Sequence, residues 1–239
     1  MTDLRYLPDA DGVTEFEATV VDVGEEYVVL DGTYFYPGGG GQPADRGTLT
    51  WGGGSATVVD ARKNHGDVRH YVDADGPLPD AGTTVTGRID ADRRDRLTRL
   101  HTAQHVLSRV ALDEFGAATV DNGLAVDGGW VAFDGVDLDA DGVATIERLT
   151  NAAVERDLAV RKTERPRSTV EEAVPEGRAR LDLIPEHVDP MRVVEIDGFD
   201  VCPCGGTHVD RLGDVGRVRI TEASTDDGGT ERIEFDVAP

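Results

Sequence analysis

With 239 residues, 38% of them hydrophobic and 30% charged, the chain is long enough to bury one substantial core or two modest ones. Asp and Glu number 47 against 24 Lys and Arg, and this net charge of −23, taken alone, argues against binding a polyanion such as nucleic acid. No apolar run has the length of a membrane span and Met1 to Tyr6 lack the features of a secretory leader, so a cytoplasmic chain is expected.

The acidic bias is spread over every segment, with Lys63 and Lys162 as the only lysines, which reads as a surface adapted to concentrated salt. There, repulsion is screened within roughly 3 Å at 1 M, so phosphates stay approachable through local arginines. The two cysteines stand too close together for a disulfide framework, in keeping with a reducing compartment and a metal role.

Residues 1–90 predict a small β-barrel domain. Phe16–Val23, Tyr27–Leu30, Gly47–Trp51, Ser55–Asp60, Val68–Val72 and Thr83–Ile89 are short, partly alternating runs, punctuated at Asp31-Gly32 and Asp75-Gly76-Pro77. Gly38 to Gly41 interrupt the pattern. No Gly-Lys-Ser/Thr follows, which excludes a P-loop, and no strand-to-helix context fits a Rossmann turn. A flexible hairpin loop and a bare backbone that approaches a ligand closely both fit four glycines.

Near 88–92 the period changes from two to nearly four, marking a second domain over 91–239. Leu97, Leu100, Val106, Leu107 and Val110 predict a helix over Arg93–Phe115, with Asp90 and Asp92 as possible caps. In such a helix His101 and His105 project from one face, a geometry suited to two imidazoles on one cation. Position 102 is Thr where the zincin signature H-E-x-x-H has Glu, which excludes that metalloprotease. Strands follow at 118–126 and 129–134, then a helix over Val143–Leu158 that buries Ile146, Leu149, Ala153 and Val154. Further strands are expected at 158–163, 191–196, 215–222 and 232–237. Residues 169–184 stay undecided, with Pro175 and Gly177 breaking any helix there. The pattern is that of an α+β domain with a largely antiparallel sheet.

The second chemical stretch is Cys202-Pro203-Cys204-Gly205-Gly206-Thr207-His208. Cys204 and His208 frame a segment of little bulk, able to turn both ligand atoms towards one point. One thiolate with three imidazoles is a zinc-type donor set. Cys202 is an alternative to Cys204 as the sulfur ligand; otherwise it is a small buried apolar residue. His65, His70 and His187 lie outside these motifs and are read as solvent-exposed. Arg217, Arg219 and Arg232 are candidates for phosphate contacts, beside ordinary pairing with the abundant Asp.

The pairing of His101-Thr-Ala-Gln-His105 with Cys204-Gly-Gly-Thr-His208 resembles the HxxxH and CxxxH motifs of the alanyl-tRNA editing domain. That domain occurs in alanyl-tRNA synthetase and in the AlaX proteins. Leu30–Gly47 is similar to the family's glycine-rich segment and Gly229–Phe235 to its closing strand, so four ordered blocks span nearly the whole chain. The resemblance implies an N-terminal barrel followed by an editing domain of the threonyl/alanyl-tRNA synthetase type. It implies one zinc ion per chain on His101, His105, Cys204 and His208, and hydrolysis of the ester joining a wrong amino acid, chiefly serine, to tRNA(Ala). The family block inclines Gly38, Gly39, Gly40, Gly41, Gln42 and Asp45 towards a substrate or tRNA role, and Arg232 joins them. Gln104 and Thr207 are expected to line the pocket that separates serine from alanine. Four protein ligands also describe a closed structural zinc site. A zinc-stabilised tRNA- or protein-binding module without turnover, and a zinc hydrolase of other small aminoacyl esters, are therefore the rival readings.

Overall fold

Alternation builds the first part of the chain. The computed structural model describes residues 1–238, which divide into two units, Met1–Arg96 and the chain from Leu97 onward. In the first unit, β1 (Asp3–Leu4), β2 (Glu15–Val23), β3 (Tyr27–Leu30), β4 (Gly32–Thr33), β5 (Gly47–Trp51), β6 (Gly54–Asn64), β7 (Asp67–Asp73) and β8 (Thr84–Ile89) follow in order. Along β2, Phe16, Ala18 and Val20 are buried while Glu15, Glu17 and Asp22 face solvent. Six strands close into the expected barrel in the order β2-β3-β7-β6-β5-β8. Register shifts at Val20/Asp22 and Val58/Asp60 are bulges that bend β2 and β6 into that closure. Phe16, Leu30, Phe35, Leu49, Val58, Val68 and Val85 fill the core. Strand β6 runs four residues beyond the expected run, because pairing with β7 continues to Asn64↔Asp67.

The second unit contains most of α1 (Ala91–Phe115), the division falling after Arg96 within it. Asp90 is the residue that caps this helix, its carboxylate accepting the Arg93 N–H at 3.1 Å. Then come β9 (Ala118–Ala125), β10 (Gly128–Asp134), α2 (Ala140–Glu155), β11 (Val160–Arg165), α3 (Arg167–Ala173), β12 (Met191–Ile196), β13 (Asp200–Pro203), β14 (Arg217–Thr225) and β15 (Glu231–Ala238). The expected antiparallel sheet is two sheets, β14-β15-β10-β9 and β11-β12-β13, every pairing in them antiparallel. Strand β13 has no counterpart in the sequence reading. It is four residues long and ends at Pro203, and pairing with β12 gives it its extended form. In α2 the buried stripe is Gly142, Ile146, Thr150, Ala153 and Val154; Leu149 is half-buried beside it. The undecided segment is α3, which ends before Pro175, and a 3-10 turn at Leu181–Leu183. Among the described residues no helix is long and apolar enough to cross a membrane.

His70 corrects the expectation of an exposed histidine. It lies fully buried on the inward face of β7 with Val68. Its Nδ1 is 3.2 Å from the Val28 carbonyl and its Nε2 is 2.8 Å from Thr33 Oγ1. A carbonyl only accepts, so Nδ1 bears the proton and Nε2 accepts from Thr33, whose oxygen in turn accepts the Phe35 N–H. Burial pushes the imidazole down to about 4, against a smaller opposing effect of the Val28 carbonyl. A folded-state pKa below the ordinary 6.5 means that the stability His70 supplies is complete above that pH and is lost as pH falls towards 4. Relative to His70→Gln, the wild type is expected to lose about 3 kcal/mol of unfolding free energy across this window. Urea melts followed by tryptophan fluorescence in a Trp130→Phe background, which leaves Trp51 as the reporter, measure it, and parallel pH curves for the two proteins would refute the buried neutral imidazole.

Candidate functional site

One ligand-type atom each from His101, His105, Cys204 and His208 lies within 4.8 Å of the other three. The first two residues come from α1, one helical turn apart, with ring centres 5.2 Å from each other. The other two come from the loop after β13. Cys204 Sγ stands 3.5 Å from His101 Nε2 and 3.3 Å from His208 Nε2, and accepts the Gly206 N–H at 3.4 Å. The His208 ring centre is 4.3 Å from that of His101 and 4.5 Å from that of His105. All three histidines are buried and Cys204 is half-buried.

Burial sets the protonation state of these imidazoles. It pushes His101 down to about 3, helped by the positive charges of Arg192 and Arg178. His105 and His208 are likewise held well below the ordinary histidine range, by burial first and then by neighbouring cations and imidazoles. Neutral imidazoles are the state in which histidine donates to a metal, and the Cys204 thiol would give up its proton on binding one. Nδ1 of His105 is buried and has no hydrogen-bond partner among the described residues, a polar edge that the surrounding protein does not satisfy. The cluster therefore fits a metal ion, with sulfur and nitrogen donors of the soft to intermediate kind.

The ligand loop is held by groups that the sequence did not single out. Arg192, on β12, donates from one guanidinium nitrogen to the carbonyls of Cys204 at 2.7 Å and Gly206 at 2.8 Å, and its own carbonyl accepts the Cys204 N–H. Lys162, on β11, donates to the His208 carbonyl at 3.3 Å and pairs with Asp210. Thr207 Oγ1 meets Thr98 Oγ1 of α1 at 2.7 Å. Thr102 Oγ1 lies 3.2 Å from His208 Nδ1 and accepts the Val209 N–H. Behind the helix, Arg178 makes a fully buried bidentate pair with Asp200 and reaches the His105 carbonyl at 3.4 Å. Thr98 and Thr102 had a readable signal, an i,i+4 hydroxyl pair set three residues before the i,i+4 histidine pair. Arg178 and Asp200 had none, because only the fold brings them together.

The remaining expected site residues fall in different settings. Cys202 is buried in β13 outside the cluster, and burial pushes its thiol up to about 12. Gln104 is buried and donates from Nε2 to Ser108 Oγ at 3.0 Å; Thr207 is fully buried. In the first unit, Gly38, Gly39, Gly40 and Gly41 have φ of 69°, 139°, 56° and 83°. Four successive left-handed residues demand glycine, since an L side chain costs about 1–3 kcal/mol at such a position. Gly39 and Gln42 bond each other's backbone at 3.0 Å in both directions, and Tyr36 Oη donates to the Gly39 carbonyl. Gly39 to Gly41 are exposed, whereas Gln42 and Asp45 are 2% and 1% exposed. The buried Asp45 anchors the loop. Its carboxylate is bonded to Arg94 and accepts the Tyr36 N–H at 2.6 Å, while Arg94 also donates to the carbonyls of Asp11 and Tyr34. Arg232, on β15, lies 4.1 Å over the Trp130 ring and is bonded to Glu234. Arg217 and Arg219 are exposed along β14, and His65 and His187 are exposed as expected.

Comparison with known proteins places this site in a family. Residues 10–93 match the model of the class II (A) tRNA synthetases, and residues 191–234 match that of the threonyl and alanyl tRNA synthetase second additional domain. The chain is 40% identical to the alanine–tRNA ligase of Halorubrum lacusprofundi, over 97% of its own length and 25% of that relative. It thus spans about a quarter of the length of such ligases. It is 35% identical to alanyl-tRNA editing protein AlaX-M of Methanosarcina barkeri, over 98% of both chains, and equally so to that of Methanosarcina acetivorans. With that identity carried across almost the full length of both partners, the chain belongs to the AlaX-M family of alanyl-tRNA editing proteins.

Proposed function

We propose that the protein is a trans-editing deacylase that hydrolyses the ester between a wrong amino acid, chiefly serine, and tRNA(Ala), acting in the cytoplasm with one zinc ion per chain. The observation that supports this most strongly is the buried three-histidine, one-cysteine cluster in a chain matching AlaX-M proteins from end to end. His101, His105, Cys204 and His208 would hold the zinc ion; when bound, it supplies Lewis-acid polarisation at the ester carbonyl. The protein's own part is to bind, orient and discriminate. Arg192, whose charge acts on all three imidazoles, also favours negative charge developing on the ester oxygen.

Serine differs from alanine by one hydroxyl, and a site that bonds this hydroxyl can favour serine by roughly 10⁴. Gln104 and Thr207 are proposed for that task. The Thr98–Thr207 hydroxyl pair and the Gln104–Ser108 pair keep rotatable donors and acceptors next in the chain to metal ligands. Exposed Gly39 to Gly41 and the Arg232–Trp130 pair are proposed to contact the tRNA, the first through backbone N–H groups and the second by stacking.

The primary test is hydrolysis of Ser-tRNA(Ala) and Ala-tRNA(Ala) in high-potassium buffer, with chelator and with zinc restored. Loss of serine that stops with chelator and returns with zinc, alanine being spared, is the expected result; a folded, zinc-loaded protein that cleaves neither ester is a binding module. Cys204→Ser should lose zinc in equilibrium dialysis while Cys202→Ser keeps one equivalent, and the reverse order would move the sulfur ligand to Cys202. Gln104→Leu should lower the seryl-to-alanyl rate ratio about tenfold or more, the effect of one hydrogen bond to the discriminating hydroxyl; an unchanged ratio removes Gln104 from the pocket.

A further inference from the structure

Thr102 stands inside the histidine motif yet is not a metal-ligand type, and its hydroxyl makes three contacts at once. Oγ1 is 3.0 Å from the Thr98 carbonyl, 3.2 Å from His208 Nδ1 and 3.2 Å from the Val209 nitrogen, all of them buried. A hydroxyl has one proton and two lone pairs. The Thr98 carbonyl can only accept and the Val209 N–H can only donate. If the Thr102 proton goes to Thr98, the Val209 N–H takes one lone pair and the other faces His208 Nδ1. All three contacts are then satisfied only when Nδ1 carries a proton. Proton assignment on the imidazole follows: Nδ1–H donates to Thr102, and the lone pair sits on Nε2, the atom 3.3 Å from Cys204 Sγ. The opposite tautomer would put a proton on Nε2, inside the cluster, where a metal ion needs a lone pair.

We infer that Thr102 is a positioning residue that holds His208 in the Nδ1–H tautomer and so turns its Nε2 lone pair into the cluster. The inference deepens the reading of the cluster as a zinc site and rests on it for its consequence, but the tautomer is set by the protein alone. Thr102 also explains how the helix and the distant ligand loop stay in register. Its hydroxyl joins α1 to His208 and Val209 in the same place that Thr98 joins α1 to Thr207. The two ties differ in kind: Thr98 uses its side chain on Thr207 but only its backbone carbonyl on Thr102.

That difference supplies the control. The ¹⁵N shifts of the His208 ring, read in metal-free full-length protein labelled at histidine, report the tautomer directly. Wild type and Thr98→Ala, which keeps the carbonyl at position 98, should show Nδ1–H alone. Thr102→Val should show a mixture or the Nε2–H form, and Thr102→Ser, which restores the hydroxyl, should return to Nδ1–H. Zinc affinity, measured by competition with a chromophoric chelator, should fall about 10- to 100-fold in Thr102→Val and recover in Thr102→Ser. Nε2–H in the wild type overturns the inference without any variant having to fold. So does a Thr102→Ser protein that matches Thr102→Val, since the methyl packing and not the hydroxyl would then be the cause. A wild type that shows Nδ1–H but binds no zinc sinks the metal reading and leaves the tautomer assignment standing.

Discussion

The second unit depends on the burial of a stretch of helix that should not be buried. Residues 101–108 of α1 are all buried, and five of these eight are polar: His101, Thr102, Gln104, His105 and Ser108. A helix enclosed on every side is ordinarily apolar all round, since each buried polar group without a partner costs about 1–3 kcal/mol. The structure answers with partners drawn from far along the chain. Gln104 and Ser108 satisfy each other within the helix, but Thr102 is matched by residues 208 and 209, and His101 by Cys204. In the chain, α2 and strands β9 to β13 lie between α1 and these partners. The metal-type cluster and the buried face of α1 share the same residues, so a bound cation would stabilise the fold and the site together.

The ligand loop shows the same logic from the other side. Gly205 and Gly206 let the chain turn sharply, yet glycine offers no side chain to hold the turn in place. The loop's carbonyls are instead gripped by cations projecting from the sheet, Arg192 on Cys204 and Gly206, and Lys162 on His208. Lys162 is one of only two lysines in the chain, and its side chain is 2% exposed. In a composition otherwise nearly purged of lysine, this one has an interior task. Its three tetrahedral N–H donors reach a backbone carbonyl and a carboxylate in different directions, which the planar fork of arginine does less readily.

Much of this was legible in the sequence, and the remainder failed for a consistent reason. Period-two runs located the barrel strands because each has one wet and one dry face, and the i,i+4 histidines with the glycine-spaced Cys204 and His208 located the cluster because metal ligands obey local spacing. His70 shares the alternating face of Val68, so its inward side was locally legible; what the sequence did not show is that Thr33 and Val28, some forty residues away, supply the partners that let an imidazole be buried there. The partner of Asp45 was equally out of reach of the sequence. Arg94, 49 residues along the chain, holds its carboxylate inside the unit. Strand β13 was invisible because four residues carry too little pattern, and its extended form comes from the β12 edge. Apolar periodicity is written locally, whereas the burial of a polar group is a bargain struck with a distant partner.

The net charge of −23 need not oppose the proposed tRNA substrate, and the arrangement of the arginines shows why. Several surface guanidinium groups are engaged with carboxylates, as in Arg88 with Glu15 and Arg211 with Asp157, whose side chains are exposed, and the partly exposed Arg232 with Glu234. Exposed pairs of this kind contribute little stability and are screened further by salt. The guanidinium fork that holds a carboxylate bidentately fits a phosphate equally well, so moving one from its own Glu to a ligand phosphate exchanges like for like. Lysine would lack that planar match and would be more heavily hydrated. A surface of this composition therefore repels polyanions at long range in dilute solution, yet in concentrated salt keeps short-range forks available, with Arg232 over the Trp130 ring as the clearest instance. In concentrated salt a polyanion would be selected by contact geometry, because counterion release adds little affinity when salt is already abundant.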